Sequence, residues 1–525
     1  MAKGEKQAKD KARGKGTGKS QPLAPPGFMA AVQAINSDMK KDGEREPGLT
    51  SARAELRRAL SPRNAAKPLS ERSQTEYDRG AALREQVPLE ALGTWRAPEG
   101  RPDPVAILEV QAADRVADLV PIRYGRMLVS PFTFLRGSAA VMAWDLAQAP
   151  TPDLRVQCCG DAHLLNFGSF AAPDRRLVFD LNDFDETLPA PFEWDVKRLV
   201  ASFEVAGRDN GFAPRDTRRA VKAAAESYRT WMRHFAATGF LDTWFTRLDM
   251  QFVLEIIERV APKELAKRSA KQVAKARKRT NVGALGRFAE QVDGAWRIKA
   301  EPPTIVRMRF EDHPGMEEIV LGAFEDYLAS MDPDRRALVS RYRLEDMARK
   351  VVGVGSVGTE AFMFLLMGDR DDDPLFLQVK QALPSVLEPY AGASAYDNHG
   401  QRVVVGQRIM QAASDPFLGW VQGRGEAARH FYLRQLRDMK GSFDVSVMIP
   451  EGFEGYARIC GGTLARAHAR SGHPAQIAGY LGDDDTFDRA LARFARAYAD
   501  QTEDDHRALS DAAAVGRIHV VREAS

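Results

Sequence analysis

The stretch GDAHLLNFGSFAAPDRRLVFDLNDFDETLPAPFEWD, residues 160–195, decides how the rest of the chain is understood. It opens on Asp161 and Asn166, runs through a short apolar segment, and closes on the acidic group Asp180, Asp183 and Asp185. Carboxylate and amide oxygens of this kind accept a hydroxyl proton and bind Mg²⁺, the two tasks that phosphoryl transfer from ATP sets a protein. Asp161 is therefore expected to take the proton and Asn166 to act with it and hold metal. Asp183, at the end of the strand RLVFDL, is the first choice for a second metal ligand; Asp185 and Asp180 stay open. His163 is expected to fix the loop through hydrogen bonds, and Asp195 to cap its helix or brace the loop.

Composition sets the outer limits. A chain of 525 residues is too long for one simple core. Its 44% apolar and 28% charged residues are ordinary for a water-soluble globular protein, and a net charge of +3 asks for no nucleic acid or membrane partner. Cys158, Cys159 and Cys460 are the only cysteines. That odd count without metal-ligand spacing suits a reducing cytoplasm. No apolar run approaches the roughly 20 residues of a membrane helix, and the charged N-terminus does not resemble a signal peptide.

Along the chain, residues 1–75 are expected to be a basic, disordered tail with short helical pieces at most. Residues 76–345 are expected to form a largely helical region that also carries the catalytic and metal loops. Within it SPFTFLRG (130–137) is expected to be extended and SAAVMAWDLAQ (138–148) helical. Arg123, Arg126 and Arg136 precede the acidic stretch and suit either phosphate or surface carboxylates. Lys263, Lys267, Lys271, Lys275 and Lys278 form a basic helix face without interleaved aromatics, read as solvated. Residues 346–445 should be sheet-rich, broken by a helix at 400–413, and residues 446–525 helical.

Gly353, Gly355 and Gly358 give G-x-G-x-x-G. A dinucleotide fingerprint would open into a helix, whereas AFMFLLMG reads as a strand, so a strand–turn–strand flap over ATP phosphates fits better. Lys380 follows in LQVKQA, a lone cation in an apolar strand, which is costly unless it meets an anion. Glu388 is the nearest candidate partner for it.

These residues resemble the protein-kinase-like superfamily. GDAHLLNFG, NDFDE and EWD are similar to the corresponding series of aminoglycoside and choline kinases. Together with SPFTFLRG, PFEWDVKRL, VVGVGSVGT, GQRIMQAASDPFLGW and FYLRQLRDMKGS, they look like a bacterial family known as domain of unknown function 2252. The resemblance runs from about residue 76 to 515 and implies an α+β, two-lobe kinase-like fold. Two departures stand out. Cys159 replaces the usual His before Gly-Asp, and the ATP-holding half follows the catalytic half, which implies a circular permutation.

The leading expectation is an ATP- and Mg²⁺-dependent phosphotransferase acting on a small-molecule hydroxyl. AMP transfer on the same site and a nucleotide-binding pseudokinase are the alternatives. A nucleic-acid role through the basic tail and the Lys263–Arg279 face is the least favoured.

Overall fold

Two nested strand pairings and one antiparallel sheet position everything that matters for function. The computed structural model describes residues 49–62, 67–260, 263–278, 280–302, 304–312, 314–350, 357–424, 428–436 and 439–522. Much of the expected N-terminal tail therefore lies outside the described residues. Its later part is helical at Leu49–Leu60 and at Glu71–Ala82 (α1), the latter capped by the Ser70 side chain.

The segment expected to be extended at 130–137 is instead a helix, Pro131–Gly137 (α2). Ser130 caps it, Pro131 occupies the first turn, and Ser130 and Thr133 form a reciprocal capping box. Three closely spaced start signals outweigh the β propensity of Phe and Thr. Strands Arg155–Cys158 (β1), Phe167–Ala171 (β2), Leu177–Leu181 (β3) and Leu188–Pro191 (β4) follow. β1 pairs with β4 and β2 with β3, both antiparallel.

Phe192–Asp209 (α3) is the axis of the helical body and is buried from Phe192 to Gly207. Pro214–Ala236 (α4) packs beside it. The six-stranded sheet is built from Ile305–Met308 (β5), Arg343–Lys350 (β6), Ala361–Met367 (β7), Pro374–Gln381 (β8), Gly419–Gln422 (β9) and His430–Gln435 (β10). Its order is β9-β10-β8-β7-β6-β5, all antiparallel. The sheet thus recruits β5 from the region read as helical, and the boundary drawn at 345/346 falls inside β6. His399–Met410 (α5) packs on β9 and β10, close to the helix expected at 400–413.

Pro450–Ala469 (α6), Pro474–Leu481 (α7) and Thr486–Ala514 (α8) return to the helical body and pack on α3 and α4. The sheet is thus spliced between two halves of one helical core. The architecture is α+β. Lys267, Lys271, Lys275 and Lys278 are exposed, as a solvated face should be. Among the described residues no helix is long and apolar enough to cross a membrane.

Candidate functional site

Because β1 pairs with β4 while β2 pairs with β3, the loops 159–166 and 182–187 emerge side by side. Asn166 ties them together. Its Oδ1 accepts the Asp183 amide at 2.7 Å, and its Nδ2 donates to the carbonyls of Asp161 (3.0 Å) and Asp183 (2.9 Å) and to Cys159 Sγ (3.2 Å). The expected metal ligand is here a buried brace, its amide already spent on backbone. Cys159 Sγ in turn lies 3.2 Å from the Asp183 carbonyl, so the residue standing where the resemblance has His also joins the two loops.

Asp161 is held from behind. Arg198 on α3, only 3% exposed, meets Asp161 Oδ1 through Nε at 2.9 Å and Nη2 at 2.8 Å. Asp161 Oδ2 faces His163 Nε2 at 3.8 Å. His163 Nδ1 accepts the Leu165 amide, and burial lowers its pKa to about 4, so the ring is neutral and fixes the loop as expected. Asp195, also on α3, accepts the amides of Cys159 (2.6 Å) and Gly160 (2.9 Å) and contacts His468 Nε2 (3.2 Å). It is the expected brace. Gly160 has φ of 83°, and a Cβ there would lie 2.2 Å from the Glu186 carbonyl, so this turn admits only glycine.

Lys380 reaches this site from β8. Its Nζ lies 2.5 Å from Asp185 Oδ2 and 3.5 Å from Asp183 Oδ1. Register explains the arrival: Lys380 is opposite Tyr432 on β10 and Gln378 opposite Arg434, so alternation puts all four on one face. Tyr432 donates to Asp185 Oδ1 at 2.7 Å, while Arg434 donates to Gln378 and to the Asn182 carbonyl. Burial alone would raise the Asp185 carboxyl, but the Lys380 ammonium and the Tyr432 hydroxyl bring it below its usual range. Both Asp185 oxygens are thus engaged. Asp183 differs: its side chain is 42% exposed, yet Oδ1 is itself buried and, among the described residues, without a hydrogen bond, facing Lys380 Nζ at 3.5 Å. Asp180 is excluded from the group, being buried 2% exposed against Arg466 and the Ala412 amide.

Glu388 does not meet Lys380. Its carboxylate accepts the Ser385 amide and lies 3.8 Å from Arg402 Nε and His399 Nδ1. Seven residues, Gln381 and the loop 382–387, separate the pair in the chain, and the acids of a distant loop take the place of Glu388 beside Lys380. Gly353 and Gly355 lie outside the described residues. Gly358 packs against the Arg115 side chain, its carbonyl accepting the Val116 amide at 2.7 Å.

A cavity of 430 Å³ opens among these groups, lined by Asp161, His163, Asn166, Asp183, Asp185, Glu186, Arg115, Arg136, Thr359, Arg434 and Lys440. Burial raises Glu186 to about 7, and burial together with Arg434 lowers Lys440 to about 7. Sequence reasoning missed Arg115, Glu186, Arg198, Arg402, Tyr432, Arg434 and Lys440. The available signal was weak: Arg198 interrupts an apolar helix, and Tyr432 and Arg434 alternate in phase on one strand. Arg402 on α5 donates to the carbonyls of Asp185, Thr187 and Leu383, fastening the acidic loop to the chain after β8.

A family model described as an uncharacterized protein conserved in bacteria, domain of unknown function 2252, matches residues 115–512. The chain belongs to that family. Every residue lining the cavity from Arg115 onward lies in the matched region, so the site belongs to the family domain itself. No curated protein and no solved structure matches the chain.

Proposed function

We propose that the protein is an ATP- and Mg²⁺-dependent phosphotransferase acting on a hydroxyl of a small molecule, on a circularly permuted kinase-like scaffold. The observation that carries this is Lys380. A lysine from the sheet, 195 residues beyond Asp185 in the chain, arrives beside Asp183 and Asp185 at a cavity that Asp161 also lines. Motif order with the sheet placed after the catalytic loops, and helices on both sides of it in the chain, supports the permuted reading.

Asp161 would orient the acceptor hydroxyl and take its proton on Oδ2, Arg198 holding Oδ1 in place. Lys380, Arg434 and the end of the glycine loop at Gly358 would face the nucleotide phosphates. Asp183 fits a metal: a buried carboxylate oxygen without a hydrogen bond is the hard donor Mg²⁺ selects. Mg²⁺ held there would neutralise phosphate charge. Asn166 and Asp185 position Asp183 through its amide and through Lys380. Catalysis would rest on positioning and preorganised charge. Three buried, unpaired cysteines fit a cytoplasmic setting for this chemistry.

Nucleotide binding without transfer is the second reading, favoured by Asn166 Oδ1 being occupied by the Asp183 amide. Incubation with γ- or α-labelled ATP, Mg²⁺ and a metabolite extract separates the readings. Transfer of γ-label that disappears in Asp161→Ala and Asp183→Ala supports phosphoryl transfer. Transfer of α-label indicates AMP transfer. Label transfer indifferent to both substitutions refutes the site.

A further inference from the structure

Two arginines that line the cavity, Arg115 and Arg136, have no carboxylate within ion-pair reach among the described residues. Arg136 follows Leu135 on α2 and makes no side-chain hydrogen bond among the described residues; its Nε is buried and unpaired. Arg115 makes one side-chain bond, from Nη1 to the Val357 carbonyl at 2.5 Å, and its Nε is likewise buried and unpaired. Behind them Arg123 is fully buried, bonded to Gln111 and the Gly137 carbonyl, with two further nitrogens unpaired.

Each guanidinium offers five donors in a rigid planar fork; Arg115 and Arg136 are half-buried, and desolvating part of such a cation without a partner is costly. The acids that share the cavity relieve it only at a distance, Glu186 and Asp185 acting on Arg115 and Asp161 on Arg136, with none of them in an ion pair with either arginine among the described residues. Asp161 is held by Arg198, Asp185 by Lys380 and Tyr432, and Glu186 Oε2 accepts the Val386 amide. Asp114 lines the cavity from an exposed position. Arg136 lies close enough to Asp161 and His163 for its charge to act on both. Arg136 thus brings spare donors to the side of Asp161, where the acceptor hydroxyl would sit, and Arg115 extends them toward Gly358, whereas Arg434 is already committed to Gln378 and the Asn182 carbonyl.

We infer that Arg115 and Arg136 form an anion subsite for the acceptor, so that the hydroxyl substrate carries a phosphate or carboxylate group gripped there while its hydroxyl faces Asp161. Which ligand carries the anion rests on the phosphotransferase reading; the anion subsite itself does not. The alternative source of the same chemistry is the nucleotide's own phosphate chain.

Inorganic phosphate is the probe, and its effect on the melting midpoint of the full chain, against chloride at equal ionic strength, gives an apparent affinity. Phosphate should stabilise the wild type both alone and with a non-hydrolysable ATP analogue and Mg²⁺ at saturation. Arg136→Met should weaken phosphate by about tenfold or more, the worth of one charge-assisted pair, and leave the nucleotide shift unchanged. Phosphate stabilisation that vanishes under saturating nucleotide overturns the inference and returns the arginines to the nucleotide, with the transferase reading intact. Equal phosphate affinity in Arg136→Met overturns it as well. Should Arg136→Met not fold, the wild-type competition decides alone. Absence of any nucleotide shift would refute the nucleotide site and leave the phosphate comparison to judge the subsite.

Discussion

Lys380 and Asp185, 195 residues apart in the chain, meet in an ion pair of 2.5 Å that joins the sheet to the acidic loop. Lys380 is 2% exposed and Asp185 27%. Removing one partner strands the other charge in a partly desolvated place. Lys380→Met should therefore destabilise the protein by roughly 2–3 kcal/mol, below the usual figure for a fully buried pair because Asp185 keeps some solvent. Urea unfolding measures it; a change below about 0.5 kcal/mol would mean the pair contributes nothing.

Glu186 gives the protein a pH signature. Its folded pKa of about 7 lies above the ordinary 4.5, with burial as the main cause, so the folded state binds the proton more tightly than the unfolded chain. The group's contribution is most favourable below pH 4.5 and is lost as pH rises through about 7. Glu186→Gln should flatten that decline and be about 2 kcal/mol more stable than wild type at pH 8, without added metal. Parallel stability profiles from pH 5 to 8 would rule it out.

The thiols should be silent in the native protein. Cys158, Cys159 and Cys460 are 0%, 1% and 0% exposed, and burial pushes each thiol well above its usual range. Reactivity follows the thiolate. An alkylating reagent at pH 8 should leave the folded chain unlabelled and modify all three cysteines in denaturant, as mass spectrometry would show.

Packing of the early helix α1 on α7 depends on a missing side chain. A Cβ at Gly479 would lie 1.9 Å from the Tyr77 carbonyl oxygen, which is backbone and cannot step aside. Gly479→Ala should cost about 2–3 kcal/mol despite alanine's better helix propensity. A neutral or stabilising effect in chemical denaturation would show that α1 does not sit there.

How much of this the sequence disclosed depended on the kind of signal. Lys380 could be matched to Asp183 because the chemistry of phosphate and metal asks for both, whatever their distance along the chain. Its partner was misread as Glu388 because nearness in sequence stood in for register, and strand pairing with Tyr432 decides where Lys380 points. Asn166 was legible as part of the site, but the competition for its amide by the Asp183 backbone was not. Arg115 carries no local pattern and Arg198 only that of a cation interrupting an apolar helix; each gains meaning only when helix and loop pack. At 130–137 the capping residues were present in the sequence and aromatic propensity obscured them.

The proposed split nucleotide site is tested most directly by equilibrium binding of a non-hydrolysable ATP analogue, with and without Mg²⁺, to the wild type, Asp183→Asn and Lys380→Met. Mg²⁺-dependent binding in the wild type that loses its metal dependence in Asp183→Asn and weakens by about tenfold or more in Lys380→Met is the expected result. Binding of equal strength in all three proteins, or none in the wild type at millimolar analogue, would contradict it.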